Sequence, residues 1–166
     1  MSMTESGVLS TSFDSRHAFQ QAVRTAFELA AERGCAELWL CDVDFADWPL
    51  GERSLVDCLT RWGYAHRKLK VMACHYDEVV RSHPRWVTWR RDWAHVVECR
   101  AIGHLSPETV PRAWLAPGHC SVRLLDPLRY RGVVDTSAAD LIRIEEALQE
   151  VWQRSVSAFP ATTLGL

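Results

Sequence analysis

The chain has no apolar run long enough to cross a bilayer as a helix. It has no C-x-x-C pair. Its six cysteines, Cys35, Cys41, Cys58, Cys74, Cys99 and Cys120, are scattered, so neither a zinc ribbon nor a disulfide framework is expected. Such cysteines read as small buried hydrophobes. It also has no strong charge of either sign. Nineteen Lys and Arg oppose 21 Asp and Glu, for a net charge of −2, so any polyanion site must be local. No P-loop, G-x-G-x-x-G or G-x-S-x-G is present, which removes three common enzyme readings. No internal repeat or low-complexity segment appears. The opening "MSMTESGVLSTSFDS" lacks the basic and apolar regions of a signal peptide, so a cytoplasmic location is expected. No metal or cofactor is expected.

What is present fits one domain. The 166 residues are 48% hydrophobic and 24% charged, enough to bury a core. Residues 1–12 read as a flexible arm, 13–159 as a single α/β domain and 160–166 as a tail. Asp14 or Ser15 caps a first helix, with Phe19, Ala22, Val23, Ala26, Phe27 and Ala30 at helical spacing and Gly34 at its end. "CAELWLCDVDF" reads as a strand buried on both faces. Leu55, Val56, Leu59 and Trp62 mark a second helix, and "LKVMACHY" a second buried strand. Residues 77–94 are helical but interrupted, with Pro84 in the first turn of a new helix. "HVVECRAI" is a third strand. Residues 112–135 hold two or three short strands with turns at "APG" and "DPLR". Ser137 caps a closing helix lined by Leu141, Ile144, Leu148, Val151 and Trp152. The order α-β-α-β-α-β-β-β-α predicts a mostly parallel mixed sheet with helices on both faces and an antiparallel block near its end.

Chemistry-bearing residues gather in four places. "GHCSVRLLD" holds His119, Ser121 and Asp126 in the pattern H-x-S-x-x-x-x-D, with Arg123 two residues after the serine and so on the same strand face. Arg81, Arg85, Arg90 and Arg91 interleave with Trp86, Trp89 and Trp93. That composition suits a surface that holds phosphates and stacks bases, or equally a buried aromatic helix face with a solvated basic side. "DVDFAD" places Asp42, Asp44 and Asp47 at the end of the first strand, and "CHYDE" places His75, Asp77 and Glu78 at the end of the next. Carboxyl ends of parallel strands are where α/β sheets put ligands, so these two tips could form an acidic rim. Asp in such loops also serves simply as a turn former. His66, His83, His95 and His104 have no evident partner.

The element order and "GHCSVRLLD" together resemble one half-unit of the phospholipase D superfamily, whose signature is H-x-K-x-x-x-x-D. "AVRTAFELAAERGCAELWLCDVDF" looks like that family's opening helix and strand. "SLVDCLTRWGYAHRKLKVMACHY" looks like its second helix and strand, and "HVVECRAI" like the strand before its catalytic block. "RSHPRWVTWRR" and "EEALQEVWQRS" are similar to helices in a bacterial subgroup without the intact motif, often joined to acetyltransferase domains. The resemblance implies a phospholipase D-like fold, a homodimer, an acetyltransferase domain as a partner, and a phosphate-bearing ligand. In the intact family one His attacks phosphorus, a second protonates the leaving group, Lys neutralises the phosphate and Asp orients its His. Carried over, His119 would be the nucleophile or acid and Asp126 the orienting carboxylate. Ser121 stands where the Lys would be and brings no charge. In the family the His and Lys lie on the strand before the turn. In that register Ala113 sits near the Lys position and His119 is a turn residue. Three readings follow: an inactive binding or scaffolding domain, a divergent phosphodiesterase using His119 and Asp126 across a homodimer, or a nucleic-acid-binding module using helix 81–93.

Overall fold

The structure, a computed structural model, describes residues 10–64 and 66–160. Strand β1 (Ser10–Asp14) leads into helix α1 (Arg16–Arg33). The Ser15 hydroxyl accepts from Ala18 N, and Gly34 closes the helix at φ 64°, the left-handed conformation that suits glycine at this position. Phe19, Val23, Ala26, Phe27 and Ala30 form its buried stripe. Strand β2 (Glu37–Asp42), helix α2 (Arg53–Trp62) and strand β3 (Lys68–Ala73) follow. The interrupted segment is two helices, α3 (Asp77–Ser82) and α4 (Pro84–Asp92). The break falls where Pro84 has no N–H to continue the first helix and fits the first turn of the second. Strand β4 (Val97–Ala101), a 3₁₀ turn (Pro107–Thr109), strands β5 (Ala113–Ala116), β6 (Cys120–Asp126) and β7 (Arg131–Asp135), helix α5 (Ala138–Gln153) and strand β8 (Val156–Ser157) complete the chain. The Ser137 hydroxyl caps α5 by accepting from Asp140 N.

One eight-stranded sheet runs β1-β7-β6-β5-β2-β3-β4-β8. The mixed sheet agrees with expectation, but its parallel part is smaller. Only the β2–β3 and β3–β4 pairings are parallel; β5 turns against β2 and begins an antiparallel meander through β6 and β7 to β1. The arm expected at 1–12 also ends earlier. Ser10–Asp14 pair with Asp135–Arg131 as an edge strand, which the polar run of hydroxyls concealed from any apolar pattern. The rest of that arm, residues 1–9, and most of the expected tail, 161–166, lie outside the described residues.

Alternation along the buried strands sends side chains to two cores. Leu38, Leu40, Leu69, Val71, Trp114 and Val122 face α1 to α4. Trp39, Cys41, Met72, Ala113 and Leu115 face α5 through Leu141, Ile144 and Leu148. Helices therefore cover both faces, and the strands read as nearly continuous apolar runs.

The meander is tightest at Gly132, which pairs with Phe13 on one side and Leu124 on the other. A Cβ there would lie 2.1 Å from the Arg123 carbonyl and 2.5 Å from the Phe13 ring. Gly132→Ala is therefore expected to destabilise the domain by about 3 kcal/mol or more. Urea unfolding followed by circular dichroism would show a lower midpoint at similar slope.

Candidate functional site

Strand β6 separates the members of the H-x-S-x-x-x-x-D pattern. His119 lies in the turn before the strand, its N–H donating to the Ala116 carbonyl, and Gly118 turns the chain at φ 77°. Asp126 ends the strand, roughly 20 Å further along at the usual rise per residue. There Asp126 accepts from the N–H groups of Leu128 and Arg129 and pairs with the Arg129 guanidinium. Within one chain the structure does not bring His119 and Asp126 together. Ser121 is fully buried, and its hydroxyl has no hydrogen-bond partner.

A different cluster forms on the α5 side of β6. Ser121 pairs across to Asp135 and Leu115, while Arg123 pairs to Ala113 and Val133. Alternation thus aims Ser121, Arg123 and Asp135 at one face. Asp135 is buried. One oxygen accepts from Ser137 N at 3.0 Å, and the other lies 3.8 Å from Arg123 Nη2, too far for a hydrogen bond. Arg123 Nε is buried without a partner. On α5, Arg143 donates to Asp140 at 2.8 Å. Asp140 is held below the usual carboxylate range, first by its contact with Asp135, then by the Ser137 hydroxyl, Arg143 and Arg123.

Arg112 joins this group from the other direction. It precedes Ala113, the first residue of β5, which pairs with Cys41, and reaches Asp42 at the end of β2 at 3.4 Å. Asp42 is almost fully buried. Burial raises its pKa, and the Arg112 charge with the N–H groups of Phe45 and Asp44 pulls it partly back. Arg112, Arg123 and Arg143 line a cleft of about 410 Å³ between the β5–β6 hairpin and α5, with Val110, Ala113 and Leu148 among its apolar wall. A second hollow of about 600 Å³ shares Arg112 and continues over Leu124, Leu125 and Leu128 to Asp126.

The acidic rim does not converge. Asp42 turns inward, Asp44 closes its own turn by accepting from Ala46 N, and Asp47 pairs with Arg16. His75 and Asp77 are exposed, with Asp77 and Glu78 in the first turn of α3. No cluster of three metal-ligating side chains exists among the described residues.

Helix α4 also departs from the base-stacking reading. Trp86 and Trp89 are buried in the core. Arg90, expected on the solvated side, is buried too, with Nη2 donating to the Phe159 carbonyl at 3.2 Å. The helix faces the core on both of these sides, because α3 and the residues after β8 enclose it. Arg81 pairs with Glu78, Arg85 donates to the Gly51 carbonyl, and Arg91 is exposed.

Solved structures share this architecture. TrmBL2, described as an archaeal chromatin protein with a novel mode of DNA binding, superposes with a TM-score of 0.63 at 12% identity, over 90% of this chain and 54% of its own. The chain thus spans about half of TrmBL2. NucT from Helicobacter pylori gives 0.56 at 4% identity, over 90% of this chain and 98% of its own. Nuc from Salmonella typhimurium, a phospholipase D family member, gives 0.51 at 9% identity, over 81% and 90%. The chain has a phospholipase D-like fold. No family model matches the sequence, and no curated protein matches it. At these identities the likeness concerns the fold alone.

Arg112, Asp135, Asp140 and Arg143 escaped the sequence reading. Only Arg143, three residues after Asp140 on a capped helix, carried a local signal. The rest depends on strand register.

Asp42 gives the site a pH signature. Its folded pKa lies above its unfolded one, so its contribution favours the fold at low pH and is lost as pH rises from the unfolded value through the folded one. Asp42→Asn removes that dependence. The variant's stability relative to the parent is expected to improve as pH rises above the unfolded carboxylate value, about pH 4, measured by urea midpoints across the acidic range. A difference independent of pH would contradict the raised value.

Proposed function

We propose that the domain binds a small phosphate-bearing anion in the arginine cleft and does not hydrolyse it. The observation that carries this reading is Arg123. It is half-buried between β6 and α5, its carboxylate stands 3.8 Å away, and its Nε is buried without a partner. The buried Nε is out of the cleft's reach, but the exposed part of the guanidinium is not hydrogen-bonded to Asp135 and can meet an oxyanion, and arginine forks match phosphate geometry. Arg112 approaches from the sheet and Arg143 from the helix, so an anion between them meets charge from three elements. The carboxylates keep the empty cleft near neutral. A bound phosphate would compete with the loose Asp135 and Asp42 contacts rather than with strong hydrogen bonds.

The absence of hydrolysis is supported by what lines the cleft. No histidine borders either hollow among the described residues, and Ser121 is sealed beneath the strand face. Phosphoryl transfer through a histidine needs the ring within reach of phosphorus. Nuc, a phospholipase D family member, and NucT share the fold, and function rests on the site.

Titration calorimetry with inorganic phosphate and methyl phosphate tests the reading. Both should bind, and Arg123→Gln should weaken binding by about tenfold or more. Bis(p-nitrophenyl) phosphate should release no nitrophenolate. Release that disappears in His119→Ala would overturn the proposal in favour of a phosphodiesterase assembled from two chains.

A further inference from the structure

The geometry points to a second anion-facing surface, for single-stranded nucleic acid, at the end of the sheet where β3 and β4 begin. It lies apart from the arginine cleft and uses other residues.

Three rings form a row there. Tyr64, 61% exposed, meets Trp93 edge-on at 5.6 Å, and Trp93 stacks on His95 at 5.8 Å. Trp93 is anchored from below by the buried Trp89 at 5.9 Å. Gly63 lets the ring come this close, since a Cβ there would lie 3.2 Å from it. Trp93 is therefore held against the core, while Tyr64 and His95 are open to solvent. An exposed tyrosine beside a half-exposed tryptophan and an exposed histidine is not core packing.

The row runs into a groove of about 280 Å³ lined by Lys68, Lys70, His95 and Val97. Lys70 is engaged by Glu37 at 3.1 Å and lies over the Trp39 ring. Lys68 is exposed and has no ion pair among the described residues. The same holds for Arg91, two residues before Trp93, and for Arg61 in the last turn of α2. Arg67 spends only Nε, on the Trp62 carbonyl. Glu98, the carboxylate at the groove, is bound to Arg100. Meanwhile Asp42, Asp44, Asp47, Asp77 and Glu78 sit at the opposite ends of these strands. Asp92, between Arg91 and Trp93, and Glu37, paired with Lys70, also lie at this end, so the separation is partial and the net charge of −2 conceals it.

Free cations flanking a row of rings fit a chain of phosphates whose bases have open faces. A duplex hides those faces, and an acidic peptide has none. The groove is too small for a folded partner and suits one extended strand. Basic residues at helix C-termini also answer the helix dipole. That accounts for Arg61 and Arg91 but not for Tyr64, His95 or Lys68, which lie on loops and at a strand start.

Fluorescence anisotropy with a labelled short oligothymidylate tests the inference. Affinity should fall roughly 20- to 50-fold between about 50 and 200 mM salt, as for three or four neutralised phosphates. Tyr64→Ala and Lys68→Glu, both at exposed positions, should each weaken binding by about tenfold while leaving the melting temperature near that of the parent. Arg123→Gln should leave oligonucleotide binding intact, which separates this surface from the phosphate cleft. The inference is overturned if both surface variants bind like the parent. A duplex of equal length binding as tightly, or polyglutamate competing as well as the oligonucleotide, would also overturn it.

Discussion

The antiparallel pairing of β2 with β5 is the constraint on which the rest depends. It joins the parallel strands β2, β3 and β4 to a meander that winds the other way. Trp39, Leu40 and Cys41 lie opposite Leu115, Trp114 and Ala113. Because side chains alternate with period two, that register decides which residues meet each core. It also carries Arg112 to the end of β2, where the buried Asp42 needs a cation. A slip of one residue would put Trp114 under α5 and leave Asp42 with no counter-charge. Burial already raises the pKa of Asp42, and without the Arg112 charge it would rise further. The ion pair and the two aromatic cores thus specify the same alignment.

From that alignment the arginine cleft follows. β6 pairs with β5 and β7 pairs with β6, so Arg123 and Asp135 reach the face that α5 covers. The helix start is fixed by Ser137, whose N–H binds Asp135 and whose hydroxyl caps the first turn. One short stretch therefore positions both the strand carboxylate and the helix arginine. The cleft is a product of sheet order, not of any contiguous motif.

This explains what was legible in the sequence. Caps and apolar periods are local, so α1, α5, the break at Pro84 and the three buried strands could be read directly. β1 could not, since "STSFD" has no apolar alternation and owes its strand to pairing with β7. The spacing of His119, Ser121 and Asp126 pointed to a superfamily whose fold the chain has, though His119 lies in the turn before β6 and the other two are spread along that strand. Arg123 was identified as an anion-facing residue, while Arg112, Asp135, Asp140 and Arg143 lie 11 to 20 residues away in the chain and come beside it only with register. The burial of Arg90 was invisible for the same reason. Helical spacing gave it the outer face, and the residues after β8 close over it.

Those last described residues also close the far end of the sheet. Phe159 stacks on Tyr76 at 5.0 Å and lies beside Trp86, while its carbonyl receives Arg90 and Ala158 N–H binds the Cys99 carbonyl. The closing helix stops at Gln153, but the hydrophobic seal over the far end of the sheet does not. An engineered fusion after the closing helix should therefore keep the residues up to Pro160. A junction drawn at the helix end would uncover two aromatic rings and a guanidinium with no carboxylate.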